Sequence, residues 1–227
     1  MADPGVTGKQ SPARRRQEDR SRAMRRRLID ATLSCLETEG YAGTTISRIV
    51  ARARVSRGAH VHHFPSKAAL IEAAARHLVR RVYIQLGEAF VNLADSDDRL
   101  RTMVFSSWRT VFCAREHAML LELLLASRHD EELAVIMERL WTSGYELIRG
   151  AAEHYFEPLD ESADPVPLVV LSQWLLRSMV LDRHLVRDER MLEQHLDLWC
   201  DLLATRIRPR PGVTGPPPRP PESVWGE

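Results

Sequence analysis

The sequence predicts an all-α protein of about nine helices, with a helix-turn-helix head in front and a longer helical body behind. Three observations predict it. Apolar residues recur at i, i+3, i+4 and i+7 through most of the chain between residues 22 and 207, the period of amphipathic helices. No stretch alternates with period two between Gly or Pro turns, as strands would. Glycine is scarce for a protein built on βα loops or a β-sandwich, at 11 of 227 residues.

In order along the chain, residues 1–21 carry Gly, Pro, Ser and the run Arg14-Arg15-Arg16, and are expected to be a disordered basic arm. A helix over 22–39 follows, with Leu28, Ile29, Leu33 and Leu36 on one face and Gly40 as its C′ residue. A short helix starts at Thr44 or Thr45 and runs to about Ala53; a second starts at Ser56 and ends before Phe64-Pro65. Ser66 caps a long helix reaching about Val91. Helices over 95–112, 115–127, 130–156, 165–186 and 189–207 complete the body, broken by Asp/Ser clusters, Pro158 and the Pro-Val-Pro of 165–167. Residues 208–227 are too rich in proline for a helix or a packed strand and read as a solvated extension. The expected domains are therefore the arm, a head over 22–82 with its helix-turn-helix at 45–64, a body over 83–207, and the tail.

The chain is long enough for a sizeable core without metal or disulfide staples. Cys35, Cys113 and Cys200 are odd in number, far apart and without zinc spacing, which fits a reduced, cytoplasmic protein. The N-terminus has no apolar signal region, and no apolar run nears the ~20 residues of a membrane span. No nucleophile–base pair, HExxH or phosphate loop points to an enzyme, and no cofactor is implied.

The net charge of +1 hides an asymmetry: residues 1–82 hold 17 Lys and Arg against 7 Asp and Glu, and the remainder 15 against 24. The informative stretch is TTISRIVARARVSRGAHVHHFPSKAAL, residues 44–70. Ile46, Ile49, Val50 and Ala53 form the inner face of the first short helix, Val55 plugs the turn, and Ala59 and Phe64 face inward from the second. Gly58 and Ala59 are small where two helices approach closely. Arg48, Arg52, Arg54, Arg57, His60, His62 and His63 are left outward, with no acid between Thr44 and Phe64. A helix-turn-helix with a cationic outer face is a DNA-reading unit whose second helix enters the major groove.

This segment resembles the TetR family of bacterial transcriptional repressors. The matches are Gly40-Tyr41, Thr44-Thr45, Ile49, Val55-Ser56-Arg57-Gly58-Ala59, His63-Phe64, Ser66-Lys67 and Leu70, in order and without a gap over roughly residues 22–82. Three features depart from the pattern. Arg54 stands where the family usually has a glycine at positive φ. His60 and Val61 stand where it often has Leu-Tyr, so no tyrosine hydroxyl can reach phosphate from position 61, and an imidazole replaces a packing residue.

The resemblance implies roles residue by residue. Thr45 would donate to a phosphate, and Arg48 would reach base or backbone. Ser56, Arg57, Gly58 and His60 would form the end of the recognition helix that meets base edges, with Arg57 the candidate for bidentate guanine readout. His62 and His63 would lie near phosphate or sugar, and Lys67 near an anion at a helix N-terminus. The histidine trio does not read as a metal site, because no Asp, Glu or Cys accompanies it. Arg14–Arg16 and Arg25–Arg27 are candidates for a minor-groove arm, against the plainer reading of non-specific phosphate attraction.

For the body, the resemblance implies a ligand-binding and dimerising domain. The helix over 165–186 is apolar nearly all round, and Leu192, Leu196, Trp199, Leu203 and Ile207 form a seam on the last helix. Leu175, Met179, Leu192, Leu196, Trp199 and Leu203 are the candidate dimer interface. Trp108, Phe112, His117, Glu122, Tyr145, Trp174 and Arg177 are the candidate effector contacts. Arg177 interrupts an apolar run and requires an anionic partner, either Glu122 or an anionic effector. The expectation is a cytoplasmic homodimer that binds double-stranded operator DNA, is released by a small molecule, and joins the nucleoid when bound. The rivals are an activator or ligand-independent regulator of the same fold, and a non-specific architectural protein.

Overall fold

A computed structural model describes residues 12–91, 98–160, 163–213, 215 and 217. The chain divides into two compact units, residues 1–74 and 75–227. The boundary falls inside one long helix rather than at residue 82, and nine α-helices lie among the described residues.

The first unit holds α1 (Pro12–Gly43), α2 (Ile46–Ala53), α3 (Arg57–His63) and the start of α4 (Lys67–Val91). The helix α1 begins ten residues before the predicted start, so the part of the basic arm from Pro12 is helical; residues 1–11 lie outside the described residues. Two intrahelical ion pairs support it, Arg14–Glu18 at 3.2 Å and Arg22–Asp19 at 2.6 Å. Gly40 breaks the helix at φ 66°, where the sequence predicted its end. The caps of the next three helices are side-chain oxygens: Thr45 accepts from the Arg48 amide, Ser56 from Ala59 and Ser66 from Ala69. Leu28, Cys35, Ile49, Ala53, Phe64 and Leu70 form the buried core of the unit.

The turn between α2 and α3 places Arg54 at φ 54°, ψ 48°, the left-handed region. It is the one non-glycine residue with positive φ among the described residues. The geometry that the family's glycine serves is thus kept, and the arginine carries its strain.

In the second unit, α5 (Arg99–Ser107) runs into a π-helical turn, Trp108–Phe112, followed by α6 (Arg115–Ala126), α7 (Glu131–Tyr155), α8 (Pro165–Asp182) and α9 (Glu189–Ala204). Asp98, Asp130, Asp164 and Asp188 cap α5, α7, α8 and α9, each accepting a backbone N–H at 2.9 or 3.0 Å. The aspartates that marked breaks in the sequence are therefore N-caps. The first residues of the predicted 95–112 helix, 95–97, lie outside the described residues.

Two strands of three residues each accompany the helices of this unit, within the all-α fold. β1 (Phe156–Pro158) pairs antiparallel with β2 (Ile207–Pro209), with Phe156 opposite Pro209 and Pro158 opposite Ile207. The predicted last helix ends at Ala204, and the first residues of the predicted tail, to Val213, are described as strand and turn; residues 214, 216 and 218–227 lie outside the described residues. Backbone bonds from Leu159 to Arg206 and from Arg210 to Tyr155 flank the ladder. Both prolines then occupy non-hydrogen-bonded pairs, where no N–H is required. Arg99 holds the chain further on, donating to the carbonyls of Arg210 and Val213. Tyr155, Phe156, Leu196, Leu203 and Ile207 belong to the core of this unit.

Candidate functional site

The outer edge of the helix-turn-helix is built from its caps. Thr45 and Ser56 are both exposed. Each hydroxyl accepts a backbone amide, which leaves its own proton to donate outward. Arg57 is exposed and donates to the Ser47 hydroxyl at 2.8 Å, tying the first turn of α3 to α2. Ser47 was missed in the sequence; its signal was its place between Ile46 and Arg48 on the outward side of α2. Gly58 is exposed, and a Cβ there would meet nothing nearer than the Ser56 hydroxyl at 3.9 Å. The close helix approach predicted for Gly58 is therefore not made, and its missing side chain leaves clearance on the outer surface instead.

The cations sort into outward and tethered groups. Arg48 pairs with Glu39 and donates to the Gly43 carbonyl. Arg52 reaches Ser34, Thr38 and Glu39. The acid missing between residues 44 and 64 is supplied by Glu39 of α1. Arg25 donates to the His63 carbonyl at 2.9 Å and lies over the Phe64 ring, while Arg27 donates to the Ala53 carbonyl. These two arginines cap the C-termini of α3 and α2, a structural use that the minor-groove reading did not foresee. Lys67 is half-buried, with its ammonium 4.4 Å over the Tyr41 ring.

His60 is corrected. It is 4% exposed, and its Nε2 lacks a hydrogen-bond partner. Position 60 lies one turn before buried Phe64 and shares its inward face, so His60 packs inside rather than meeting base edges. Val61 is 60% exposed and His62 is exposed. His63 is half-buried, edge-on to His62 at 5.0 Å. Burial, then the charges of His62 and Arg25, hold its pKa below the ordinary histidine value.

In the body, Phe112, His117, Tyr145, Trp174 and Arg177 line one cavity of about 110 Å³, together with Tyr83 and Gln173, which the sequence did not single out. Trp108 and Glu122 are outside it: Trp108 is buried in the core, and Glu122 is exposed on α6. The alternative Arg177–Glu122 pair is not formed. His117 is 2% exposed, with neither ring nitrogen hydrogen-bonded, and meets Phe112 edge-on at 4.7 Å. Burial and the nearby Arg177 charge push its pKa down to about 4. Burial raises the Tyr83 hydroxyl and lowers Arg177, whose charge Tyr83 supports. The neighbouring buried acid, Glu116, is already matched by Arg81 at 2.7 Å and Arg115 at 3.5 Å.

The six predicted dimer residues divide between the core of the chain and its half-buried surface. Leu192, Leu196 and Leu203 are buried in the core of their own chain. Trp199 donates to the Ser172 hydroxyl at 2.9 Å, and Leu175 and Met179 are half-buried. The apolar side chains left exposed are Met191, Leu198 and Leu202 on α9, and Leu171, Trp174 and Leu181 on α8. Among the described residues, no cluster of His, Cys, Asp or Glu could hold a metal ion, and no helix is long and apolar enough to cross a membrane.

A capped helix-turn-helix with hydroxyls and an arginine on its outer edge defines a DNA-binding unit, here joined in one chain to a helical body with a largely apolar cavity. Residues 28–74 match the tetR family of bacterial regulatory proteins. The transcriptional regulator CymR of Pseudomonas putida is 32% identical over 129 residues, 57% of this chain and 63% of CymR. The regulator BetI of Burkholderia ambifaria is 35% identical over 85 residues, 37% of this chain and 44% of BetI. The chain thus spans about half the length of these relatives. The solved structure of a transcriptional regulator from Rhodococcus sp. Rha1 shares the fold, with a TM-score of 0.60 and 20% identity over 80% of this chain and 97% of that one. Residues 28–74, which hold the helix-turn-helix, are thus similar to the matching segment of tetR-type regulators, and the fold is shared with the solved regulator.

Proposed function

We propose that the chain is a homodimeric transcriptional repressor, cytoplasmic and on the nucleoid when bound, which grips operator DNA through α3 and lets go when a small molecule enters the body. The observation that carries the reading is the outer edge of the head: Thr45, Ser56 and Arg57 exposed around a bare Gly58. Hydroxyls there donate to phosphates while the guanidinium reaches a guanine edge. The apolar cavity is the place for the effector, and the exposed stripes of α8 and α9 are the surface for a second copy. Two heads about 34–36 Å apart fit successive major grooves, and a ligand favouring another spacing lowers affinity by its differential binding.

The test is selection from a randomised DNA pool, followed by binding to the selected and a scrambled sequence. A two-fold symmetric site is expected. Arg57→Ala should cost about 1–3 kcal/mol at one base pair per half-site, and Lys67→Ala should weaken all sequences while flattening the salt slope by roughly one unit per chain. Equal affinity for selected and scrambled DNA would replace this reading with the architectural one.

A further inference from the structure

The cavity of the body holds an unbalanced polar end. Arg177, at the wall of an otherwise apolar chamber, has no carboxylate within ion-pair distance among the described residues; Tyr83 is the group that supports its charge. Glu122 is exposed and outside the cavity lining, and Glu116 is engaged by Arg81 and Arg115. Beside Arg177, His117 is 2% exposed with both ring nitrogens unpartnered. The two unpartnered imidazole nitrogens are buried donors or acceptors of the kind a folded protein normally satisfies, and they lie beside a guanidinium that has no carboxylate. A cation would be repelled there, and a purely apolar molecule would leave both groups unmatched.

The rest of the wall is apolar and aromatic, with Phe112, Tyr145, Trp174 and Val170 among its residues. The volume of about 110 Å³ is of the order of a cavity of ~150 Å³ that accepts one benzene ring. We infer that the cavity takes a small monoanion built on a single ring, an aromatic or alicyclic carboxylate, with its carboxylate between Arg177 and His117 and its ring against the aromatic wall. The guanidinium meets the carboxylate with two parallel N–H donors, and the neutral imidazole supplies one more. This inference rests on reading the cavity as the effector site and names the chemistry of what enters it.

The experiment titrates the full-length chain by calorimetry with three probes, benzoate, benzamide and acetate, and repeats each in a mobility shift on the selected operator. Benzoate should bind at least tenfold tighter than benzamide, which has the ring without the charge, and tighter than acetate, which has the charge without the ring. Benzoate should also release DNA. Arg177→Gln should abolish the preference of benzoate over benzamide, and Arg177→Lys should retain part of it, with circular dichroism reporting that both variants fold. Benzamide binding as tightly as benzoate, and releasing DNA, overturns the anion while the effector cavity stands. Benzoate binding through Arg177 with no effect on the operator keeps the anion site and overturns the effector reading. Binding by none of the three probes overturns both.

Discussion

Arg54 shows what a single position can reveal. Its left-handed backbone was legible, because the turn between two short helices requires it and the family's usual glycine marks the place. An L-residue there costs roughly 1–2 kcal/mol, and glycine returns about 0.4–1 of that by loosening the unfolded chain. Arg54→Gly should therefore stabilise the protein by about 0.5–1 kcal/mol, read as a raised urea midpoint; a lowered midpoint would show that the side chain contributes a contact worth more than the strain. His60 and His117 were less legible. Both are buried: His117 lines the cavity, as its place among the candidate effector contacts predicts, whereas His60 lies in the packing of the head instead of on its outer edge. Histidine types carry no burial signal of their own. The inward face of a seven-residue helix becomes clear only once Phe64 is seen to set it. For His117 the consequence is thermodynamic. Its pKa is about 4 in the folded chain against ~6.5 unfolded, so the native state binds fewer protons. The stability this holds is fully present above pH ~6.5 and is lost as pH falls toward 4. Between pH 7 and 5 the loss should be roughly 2 kcal/mol in urea unfolding. His117→Leu should remove that part of the slope, and an identical slope in the variant would place the acid sensitivity elsewhere.

At the scale of elements, the helices were legible wherever a cap residue preceded an apolar period: Thr45, Ser56, Ser66, Asp130, Asp164 and Asp188 each mark a start. The strands were not, because three residues cannot display an alternation and Pro158 and Pro209 argue locally against one. The helix from Pro12 was hidden by its arginine run, which reads as solvated chain until Glu18 and Asp19 are paired with Arg14 and Arg22. The helix α3 carries the next prediction. It presents His62 outward and His63 half-exposed, with Arg25 held at its C-terminal carbonyl. Burial, His62 and Arg25 all keep His63 neutral in the free protein. A phosphate beside His63 reverses this, so the DNA complex holds more protons than the free chain. Operator affinity should rise as pH falls from about 8 to 6 at fixed ionic strength. A His62→Gln/His63→Gln double variant should flatten the profile, and an unchanged slope in it would remove both rings from the DNA contact.

For the whole molecule, the decision turns on which apolar faces are covered within one chain and which are not. The seam Leu192, Leu196 and Leu203 was read as reaching a partner because it was the apolar stripe visible at helical spacing. It is spent inside, against the core that Tyr155, Phe156 and Ile207 complete. What a periodicity cannot say is which of two apolar stripes on one helix faces home. On α9 the second stripe is Met191, Leu198 and Leu202, with Leu198 56% and Leu202 50% exposed, and α8 adds Leu171, Trp174 and Leu181. Exposed leucines at i and i+4, on a helix whose opposite face is already buried, are the arrangement of an isologous helical interface. The chain should run near twice 25.9 kDa by light scattering at micromolar concentration. Leu198→Glu with Leu202→Glu should halve that mass while leaving the helical signal and thermal midpoint close to those of a folded monomer. Leu196→Glu should instead unfold the chain, because it buries an unpaired carboxylate in a closed core. A double variant that stays dimeric would move the interface off α9. A Leu196→Glu protein that becomes a folded monomer would restore the seam to the interface and overturn the packing described for α9.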